Sequence, residues 1–395
     1  MNADFFKNNR QKLLESTKAD YIVIAGNTAM QRSNDASYAF EQDANFWYLT
    51  GIDAADWWLI IEPKRSLLVA PDVDEMHRVF DGDLSWDDAI KISGVTMVLS
   101  FEEGETYLAA HPDATVHTIG EDPHADHYDF SLNPGPSEMY EELKETWGSV
   151  KNCRQKLAKL RAIKQPEEIE AMRQAIDLTI DAFTLVKNKF STYVHEYEIE
   201  ADFSHTFRSR GAKGHAYDPI VAAGAHACTL HYGKNQAALK DGQLVLMDIG
   251  ARRSGYAADI TRTYAYGAVT ERQVKVHAEV ERAHKEIIAL LRPGLDLKQY
   301  MNAVDDIMKR ALMTLGLYNN PDDYRKYFPH SVSHGLGIDV HDSLGGPETL
   351  LPGMVLTVEP GIYIPQEGIG VRIEDDILIT ETGHENLSEK LPTSL

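Results

Sequence analysis

The alternation of apolar and polar residues predicts two kinds of element in the first part of the chain. Residues 5–16 carry charges beside an apolar stripe, which is typical of an amphipathic helix. Short apolar runs of strand length follow at residues 21–26, 57–61, 66–70 and 95–100. A helix combined with several strands predicts a mixed α/β domain.

A strong helix start stands in the middle of the chain. Pro166 occupies the first helical turn and is followed by Glu167 and Glu168, whose charges suit the positive end of the helix dipole. Further helices are predicted at residues 196–210, 271–291 and 297–315. A chain of 395 residues exceeds what one hydrophobic core usually serves. We therefore predict two domains, an accessory domain of residues 1–155 and a second domain of residues 156–395.

Composition and charge exclude several classes of partner. The chain is 43% apolar and 25% charged, as in ordinary globular proteins, and its net charge of −22 has no basic patch to attract nucleic acid or an anionic membrane. Its apolar runs are too short to span a bilayer, and residues 1–18 lack the apolar centre of a secretory signal. With only two cysteines, Cys153 and Cys228, no disulfide framework is expected, and a cytoplasmic location fits best.

Four acidic residues interrupt apolar, strand-like runs in the second domain: Asp248, Asp259, Glu359 and Glu374. A short Arg-Arg-Ser-Gly turn separates the first two, as in a hairpin. Removing a carboxylate from water is costly unless a cation or hydrogen-bond donors compensate it. If the four converge, two divalent cations are the simplest source of neutralising charge. This oxygen-rich set favours Mn²⁺, although Co²⁺ or Zn²⁺ would also suit it.

Histidines cluster near these acids. His330, His334 and His341 lie in one segment whose glycines forbid a stable helix, and His231 lies upstream of Asp248. The alternation of apolar and polar residues at 338–341 predicts a short strand with His341 on its polar face. Spacing alone leaves open which histidine binds a metal. Two others, His124 and His127, are best interpreted as part of an exposed Asp- and Pro-rich loop.

Six segments in this order resemble the pita-bread metallopeptidases, in the branch that holds aminopeptidase P and the prolidases. They are residues 230–232, 247–250, 258–261, 330–342, 357–361 and 370–376. Residues 32–51 resemble the accessory domain of the same family. The resemblance implies an α+β fold, with a pita-bread catalytic domain after a smaller creatinase-like N-terminal domain of mixed α/β structure. It also implies a homodimer or homotetramer.

The resemblance further implies a site and an activity. Its five metal ligands correspond to Asp248, Asp259, His334, Glu359 and Glu374, which identifies His334 as the coordinating histidine. Asp259 and Glu374 would bridge two ions, and a water or hydroxide between the ions would attack the scissile carbonyl group. The implied reaction is that of a Xaa-Pro aminopeptidase, which releases the residue that precedes proline at a peptide's N-terminus.

Further roles follow from the same resemblance. Glu359 would transfer the proton of the attacking water, while His231 and His341 would hydrogen-bond the substrate and the developing oxyanion, with His330 near the leaving group. Arg372 either grips a substrate carboxylate or forms a structural ion pair with the nearby acids.

Four alternative functions compete with this interpretation. A prolidase, which cleaves only Xaa-Pro dipeptides, shares the ligand set, and residues 32–51 tilt the interpretation towards the aminopeptidase. A methionine aminopeptidase in its minimal form has no place for the extra domain. A metal-free creatinase-like enzyme or a non-catalytic peptide-binding module would not need all five ligand residues.

Overall fold

The computed structural model describes residues 1–120 and 131–395, so the predicted loop histidines His124 and His127 lie outside the described residues. The chain divides into two compact units, Met1–Leu160 and Arg161–Leu395. The predicted boundary after residue 155 falls inside a helix, Arg154–Ala162, and it stays a prediction. Among the described helices, none is both long enough and apolar enough to cross a membrane.

The first unit is built on one mixed sheet. Its helices, in chain order, are α1 Ala3–Thr17, α2 Ala44–Thr50, α3 Glu75–Phe80, α4 Trp86–Ser93, α5 Phe101–Ala109 and α6 Pro134–Trp147, and α7 is Arg154–Ala162. Its strands are β1 Tyr21–Ala25, β2 Gln31–Ser33, β3 Ala36–Ser37, β4 Trp58–Glu62, β5 Arg65–Val69, β6 Met97–Leu99, β7 Val116–Thr118 and β8 Lys151–Asn152. The four strands predicted from short apolar runs are confirmed as β1, β4, β5 and β6. Their buried residues belong to the core of this unit.

Six of these strands pair in the order β6-β5-β4-β1-β7-β8. β1 runs antiparallel to β4 and parallel to β7, and β5 runs parallel to β6. The central β1 carries five consecutive buried residues, which is the pattern of a strand covered on both faces. The predicted mixed α/β character of this region is therefore confirmed.

The second unit combines long helices with small antiparallel sheets. Its helices are α8 Pro166–Lys189, α9 Glu196–Ser209, α10 Glu271–Ile288, α11 Leu297–Thr314 and α12 Asp323–Tyr327. Its strands are β9 Gly214–His215, β10 Ile220–Ala223, β11 Gln243–Ile249, β12 Ala251–Arg253, β13 Tyr256–Ala257, β14 Ile260–Tyr266, β15 Val355–Val358, β16 Gly361–Ile364, β17 Ile369–Arg372, β18 Asp375–Ile379 and β19 His384–Asn386. The four helices predicted from position 166 onward are confirmed.

The core of the second unit lies between helices α10 and α11 and the strands that follow them. Buried residues of the two helices, such as Val280 and Met308, share one cluster with Leu356, Val371 and Ile377 of the strands. The strands form four separate small sheets rather than one continuous sheet. Helices and antiparallel strands occupy separate stretches of chain, so the unit is α+β, as predicted.

Candidate metal centre

Two neighbouring strands bring the first pair of acids together. β11 and β14 pair antiparallel with Asp248 opposite Thr261, so Asp259 lies just ahead of β14 and close to the end of β11. A side chain at Gly250 would collide with the main-chain oxygen of Ala258, so only glycine allows this close approach. The predicted hairpin is present, but Asp259 lies between β13 and β14 rather than inside a strand, because the ribbon is interrupted at this point.

The second pair of acids is held by a similar arrangement. Glu359 directly follows β15, and Glu374 directly precedes β18, its antiparallel partner. The backbone N–H of Glu374 donates to the main-chain oxygen of Thr261 at 3.1 Å. This bond joins the two strand pairs and places Glu374 beside Asp259.

His334 points into the space between these carboxylates. Its Nε2 lies 3.4 Å from Asp259 Oδ2, 3.6 Å from Glu359 Oε1 and 3.9 Å from Glu374 Oε1. The ring donates its Nδ1 proton to the main-chain oxygen of Gly335 at 3.0 Å, so Nε2 is the nitrogen that faces the carboxylates and would bind a metal once it has released its proton. Ligand atoms of Asp259, His334 and Glu374 lie within 4.8 Å of one another, close enough to share one ion.

The segment after His334 is a tight loop, so the predicted strand at residues 338–341 is wrong. A backbone bridge pairs Gly335 with Asp342 and closes the loop. Side chains at Gly335 and Gly337 would both collide with Asp342, and this crowding overrides the apolar–polar alternation. Arg161 Nη2 forms an ion pair with Asp342 Oδ1 at 3.0 Å, and this contact stabilises the loop. His341 lies on this loop with its ring centroid 4.2 Å from that of His334.

Tyr217, which the sequence did not single out, touches both members of the first acid pair. Its hydroxyl oxygen lies 2.6 Å from Asp248 Oδ1 and 2.6 Å from Asp259 Oδ1. Burial, followed by the charges of these two carboxylates, raises the pKa of Tyr217 well above its ordinary value, so the hydroxyl keeps its proton. Nothing in the surrounding sequence marks this tyrosine, because only the fold brings it against the acids.

Arg372 is buried, and its nitrogens contact groups of the site. It pairs with Asp248 and donates to Thr261 Oγ1 at 3.2 Å and to the Tyr363 hydroxyl at 2.9 Å. Thr261 in turn donates to Glu374 Oε2 at 2.7 Å. The structure thus places Arg372 in an ion pair with one of the acids. This is the second of the two roles that the sequence allows for Arg372.

Tyr363 continues this network to His330. Nδ1 of His330 donates to the main-chain oxygen of Ser331 at 2.7 Å, so Nε2 is left to accept the proton of the Tyr363 hydroxyl at 2.9 Å. His330 Nδ1 also lies 3.4 Å from Glu359 Oε2. Burial and the neighbouring Arg372 lower the pKa of His330 to about 3, which keeps it neutral. The sequence identified His330 but missed Tyr363, which lies on β16 opposite Gly370 of β17.

His231 is exposed in a turn after β10, and it is near enough to His330 and His341 to lower the pKa of both. Of the four histidines singled out from the sequence, His330 and His334 face the carboxylates directly, and His341 packs against His334. Asp376 is a further buried acid beside them, and it accepts the backbone N–H of Asp259 at 3.2 Å.

The electrostatics of this group call for added positive charge. Burial, against the opposing charges of His334 and Arg372, raises the pKa of Glu359 to about 8, and burial together with the neighbouring carboxylates raises the pKa of Glu374 well above its ordinary value. Burial lowers the pKa of His334, but the hydrogen bond to Asp259 and its charge outweigh this effect and raise it to about 9. Four carboxylates and one imidazole, without a thiolate, form a donor set that fits divalent cations preferring oxygen.

Comparison with known proteins identifies the family of the chain. Residues 170–381 match the model of metallopeptidase family M24, and residues 6–117 match that of the aminopeptidase P N-terminal domain. The chain is 34% identical to the Xaa-Pro aminopeptidase of Escherichia coli over 97% of this chain and 94% of that protein. It is also 34% identical to human Xaa-Pro aminopeptidase 3, over 95% of this chain and 79% of the human protein.

A solved structure supports the fold across the whole chain. The structure of E. coli aminopeptidase P with the inhibitor Pro-Leu matches with a TM-score of 0.87 and 32% identity, covering 100% of this chain and 96% of that one. The predicted family is thus confirmed, and so is the predicted fold class, in which a pita-bread domain follows an accessory N-terminal domain along the chain. The protein belongs to metallopeptidase family M24, in the branch of aminopeptidase P, and is a metallo-exopeptidase.

Proposed function

We propose that the protein is a metal-dependent Xaa-Pro aminopeptidase, which releases the N-terminal residue from peptides with proline in second position. The observation that carries this proposal is the convergence of His334 with the carboxylates of Asp259, Glu359 and Glu374 in a chain that matches Xaa-Pro aminopeptidases along nearly its full length. Family membership gives the class of reaction, and this geometry supports the choice of site residues.

The proposed ligands of two divalent cations are Asp248, Asp259, His334, Glu359 and Glu374. Asp259 and Glu374 are the candidates for shared ligands, since both lie next to His334 and on adjoining strand pairs. When bound, the cations would polarise the scissile carbonyl group and lower the pKa of water. Mn²⁺ is the proposed native ion because oxygen donors dominate the set, with Co²⁺ and Zn²⁺ as alternatives.

Glu359 is the proposed proton carrier. Its carboxylate lies near His334 and within 3.4 Å of His330 Nδ1, at the junction of the ligand group and the histidine network. In this position it would accept the proton of the attacking water and deliver it to the proline nitrogen as the peptide bond breaks. His330, held neutral by burial and by Arg372, would stand on the leaving-group side.

His231 and His341 are the proposed contacts to the substrate. Both are exposed on loops, where a peptide carbonyl group could approach them, and His341 packs against His334, whose Nε2 faces the carboxylates. As hydrogen-bond donors they would stabilise the negative charge that develops on the carbonyl oxygen. Arg372 would take part in substrate binding only if it left its ion pair with Asp248, so we propose that its main role is to hold that acid.

Peptide length separates this proposal from its closest alternative, a prolidase. The experiment strips the protein of metal, adds back Mn²⁺, Co²⁺ or Zn²⁺ singly, and follows cleavage of a Xaa-Pro dipeptide and a Xaa-Pro-Xaa tripeptide. The proposal predicts metal-dependent cleavage of the tripeptide. A strict dipeptidase would leave the tripeptide intact, and a non-catalytic peptide-binding protein would cleave neither.

A cytoplasmic location and a homodimeric or homotetrameric state complete the proposal. The low cysteine content supports the first, and resemblance to the family supports the second. Light scattering tests the oligomeric state. A monomer with full activity would refute it.

A further inference from the structure

The position of His231 depends on the segment that carries it. The imidazole is exposed, and the segment runs from the end of β10 through a 3-10 turn, Gly224–Cys228, to residue 237 before β11 begins. Exposed loops are mobile unless other groups hold them. A side chain that fixes this segment would therefore also fix His231.

Glu196, the first residue of α9, is such a side chain. It is fully buried, and both of its carboxylate oxygens accept hydrogen bonds from this one segment. Oε1 accepts the backbone N–H of Ala223 at 2.9 Å and lies 3.2 Å from His226 Nδ1. Oε2 accepts the backbone N–H of Ala237 at 2.8 Å and the Tyr232 hydroxyl at 3.0 Å.

These four contacts bracket His231 along the chain. Ala223 and Ala237 stand at the two ends of the segment, and Tyr232 is the immediate neighbour of His231. The rings of Tyr232 and His226 also stack, with centroids 4.5 Å apart, so the two side chains that meet the carboxylate support each other. Hydrogen bonds to an ionised carboxylate are stronger than those between neutral groups, so this single buried group can set the shape of the loop.

A second residue fixes the same segment independently. Asn235 accepts the backbone N–H of Val221 at 2.9 Å and donates to the main-chain oxygen of Pro219 and to Glu200, each at 2.8 Å. Because this fastening does not involve Glu196, loss of the Glu196 carboxylate should displace the His231 segment without unfolding it.

We propose that Glu196 is a positioning residue for His231: its buried carboxylate fixes residues 223–237 and thereby the imidazole that faces the substrate. The inference rests on the proposed function, in which His231 stabilises charge during peptide cleavage. The sequence marks Glu196 only as the first residue of the predicted helix at residues 196–210.

The kinetic test uses Glu196→Gln in the metal-loaded protein, with a Xaa-Pro-Xaa tripeptide as substrate. Gln keeps the size of the side chain but turns an NH₂ group towards two donors. We expect kcat to fall about 10- to 100-fold, the usual range for residues that orient an active group, with KM and metal content nearly unchanged. In a His231→Ala background the same substitution should change kcat by less than about threefold, because its effect passes through His231.

Glu198→Gln is the matched control. Glu198 lies on the same helix and also accepts two backbone N–H groups, those of Val194 and His195, but these belong to the start of the helix rather than to the His231 segment. This variant should retain the wild-type kcat. The inference is overturned if Glu196→Gln keeps wild-type kcat, if it causes its full loss again in the His231→Ala background, or if His231→Ala itself is fully active.

Hydrogen exchange gives a readout that does not depend on activity. The amides of Ala223 and Ala237 should exchange faster in Glu196→Gln than in the wild type or in Glu198→Gln. Unchanged exchange at both amides would overturn the inference. If the wild-type protein did not cleave the tripeptide while exchange responded as described, the proposed function would fail and the hold of Glu196 on the segment would stand.

Discussion

The carboxylates of the candidate metal centre lie at the ends of paired strands, whereas its histidines lie on loops. Asp248 and Glu374 are placed by backbone hydrogen bonds that continue through β11, β14 and β18. His334 is likewise tied to β15 by backbone hydrogen bonds, but the loop with His341 is held by Asp342 and its partner Arg161, and the segment with His231 is held by Glu196 and Asn235. The acids and His334 are thus positioned by repeated backbone bonds, and His231 and His341 by a few side chains.

This difference teaches where the site is sensitive. A strand end tolerates the loss of one contact because neighbouring backbone bonds remain, and so the ligand group should be perturbed only by changes to the acids or to groups that touch them directly. A loop that is held by a few side chains should change its position when one of those side chains is substituted, even far from the ligand group.

The largest expected effect is that of Glu359→Gln. Removing the carboxylate takes away both a proposed ligand and the proposed proton carrier, so kcat for a Xaa-Pro-Xaa tripeptide should fall by about 10³-fold or more. Circular dichroism should show an unchanged fold, since the substitution keeps the size of the side chain. Glu367→Gln, which alters a surface ion pair with Arg272, is the control. Retained activity in Glu359→Gln would assign the proton transfer to another residue.

Arg262→Met tests a buried ion pair that supports the strands next to the proposed ligands. The buried guanidinium pairs with Asp375 at 2.6 Å and donates to the main-chain oxygens of Glu374 and Leu391, each at 2.7 Å. Removal would leave the buried Asp375 carboxylate without its cationic partner, with Asn386 still donating to it, which should lower the free energy of unfolding by about 3–5 kcal/mol.

Urea denaturation measures this loss, and the double variant Arg262→Met, Asp375→Asn supplies the control, since removal of both charges should restore part of the stability. An unfolding free energy equal to that of the wild type in Arg262→Met would show that the strands need no support from this ion pair.

Tyr217→Phe tests a direct contact to two acids at once. The hydroxyl lies 2.6 Å from Asp248 and from Asp259, so its loss should weaken the affinity for Mn²⁺ about 10- to 100-fold. Titration of the metal-free protein with Mn²⁺ measures the affinity. Tyr197→Phe, at an exposed position of α9, should leave it unchanged. Equal affinities in both variants would contradict the role given to Tyr217.

The smallest expected effect is that of Arg173→Ala. Arg173 forms two hydrogen bonds of 2.7 Å with Glu385, but both side chains are partly exposed to water. Such pairs contribute about 0.2–1 kcal/mol, so the free energy of unfolding should change little and kcat not at all. A loss as large as that of Arg262→Met would show that burial is not what separates the two ion pairs.

Much of the fold could be predicted because its signals are local. Apolar runs predicted β1, β4, β5 and β6 of the first unit, and Pro166 with its following acids predicted the start of α8. The acids at 248, 259, 359 and 374 stood out because strands seldom carry a carboxylate in an apolar run.

The rest depended on contacts between distant residues. The loop at 335–342 was wrongly predicted as a strand, because the Gly335–Asp342 bridge is invisible in an alternation of residue types. Tyr217 and Tyr363 carry no local mark of function, and their hydroxyls meet the site only after the sheets have formed. For the same reason, the spacing of the histidines along the chain does not show which of them would bind a metal, and only the resemblance to a family indicates His334.

Anomalous diffraction from crystals grown with Mn²⁺ tests the central claim most directly, namely that one group of side chains holds two cations. The account predicts two anomalous peaks, both in contact with Asp259 and Glu374, and with Asp248, His334 and Glu359 completing the coordination. Absence of peaks at these carboxylates, or Mn²⁺ bound only elsewhere on the protein, would contradict it.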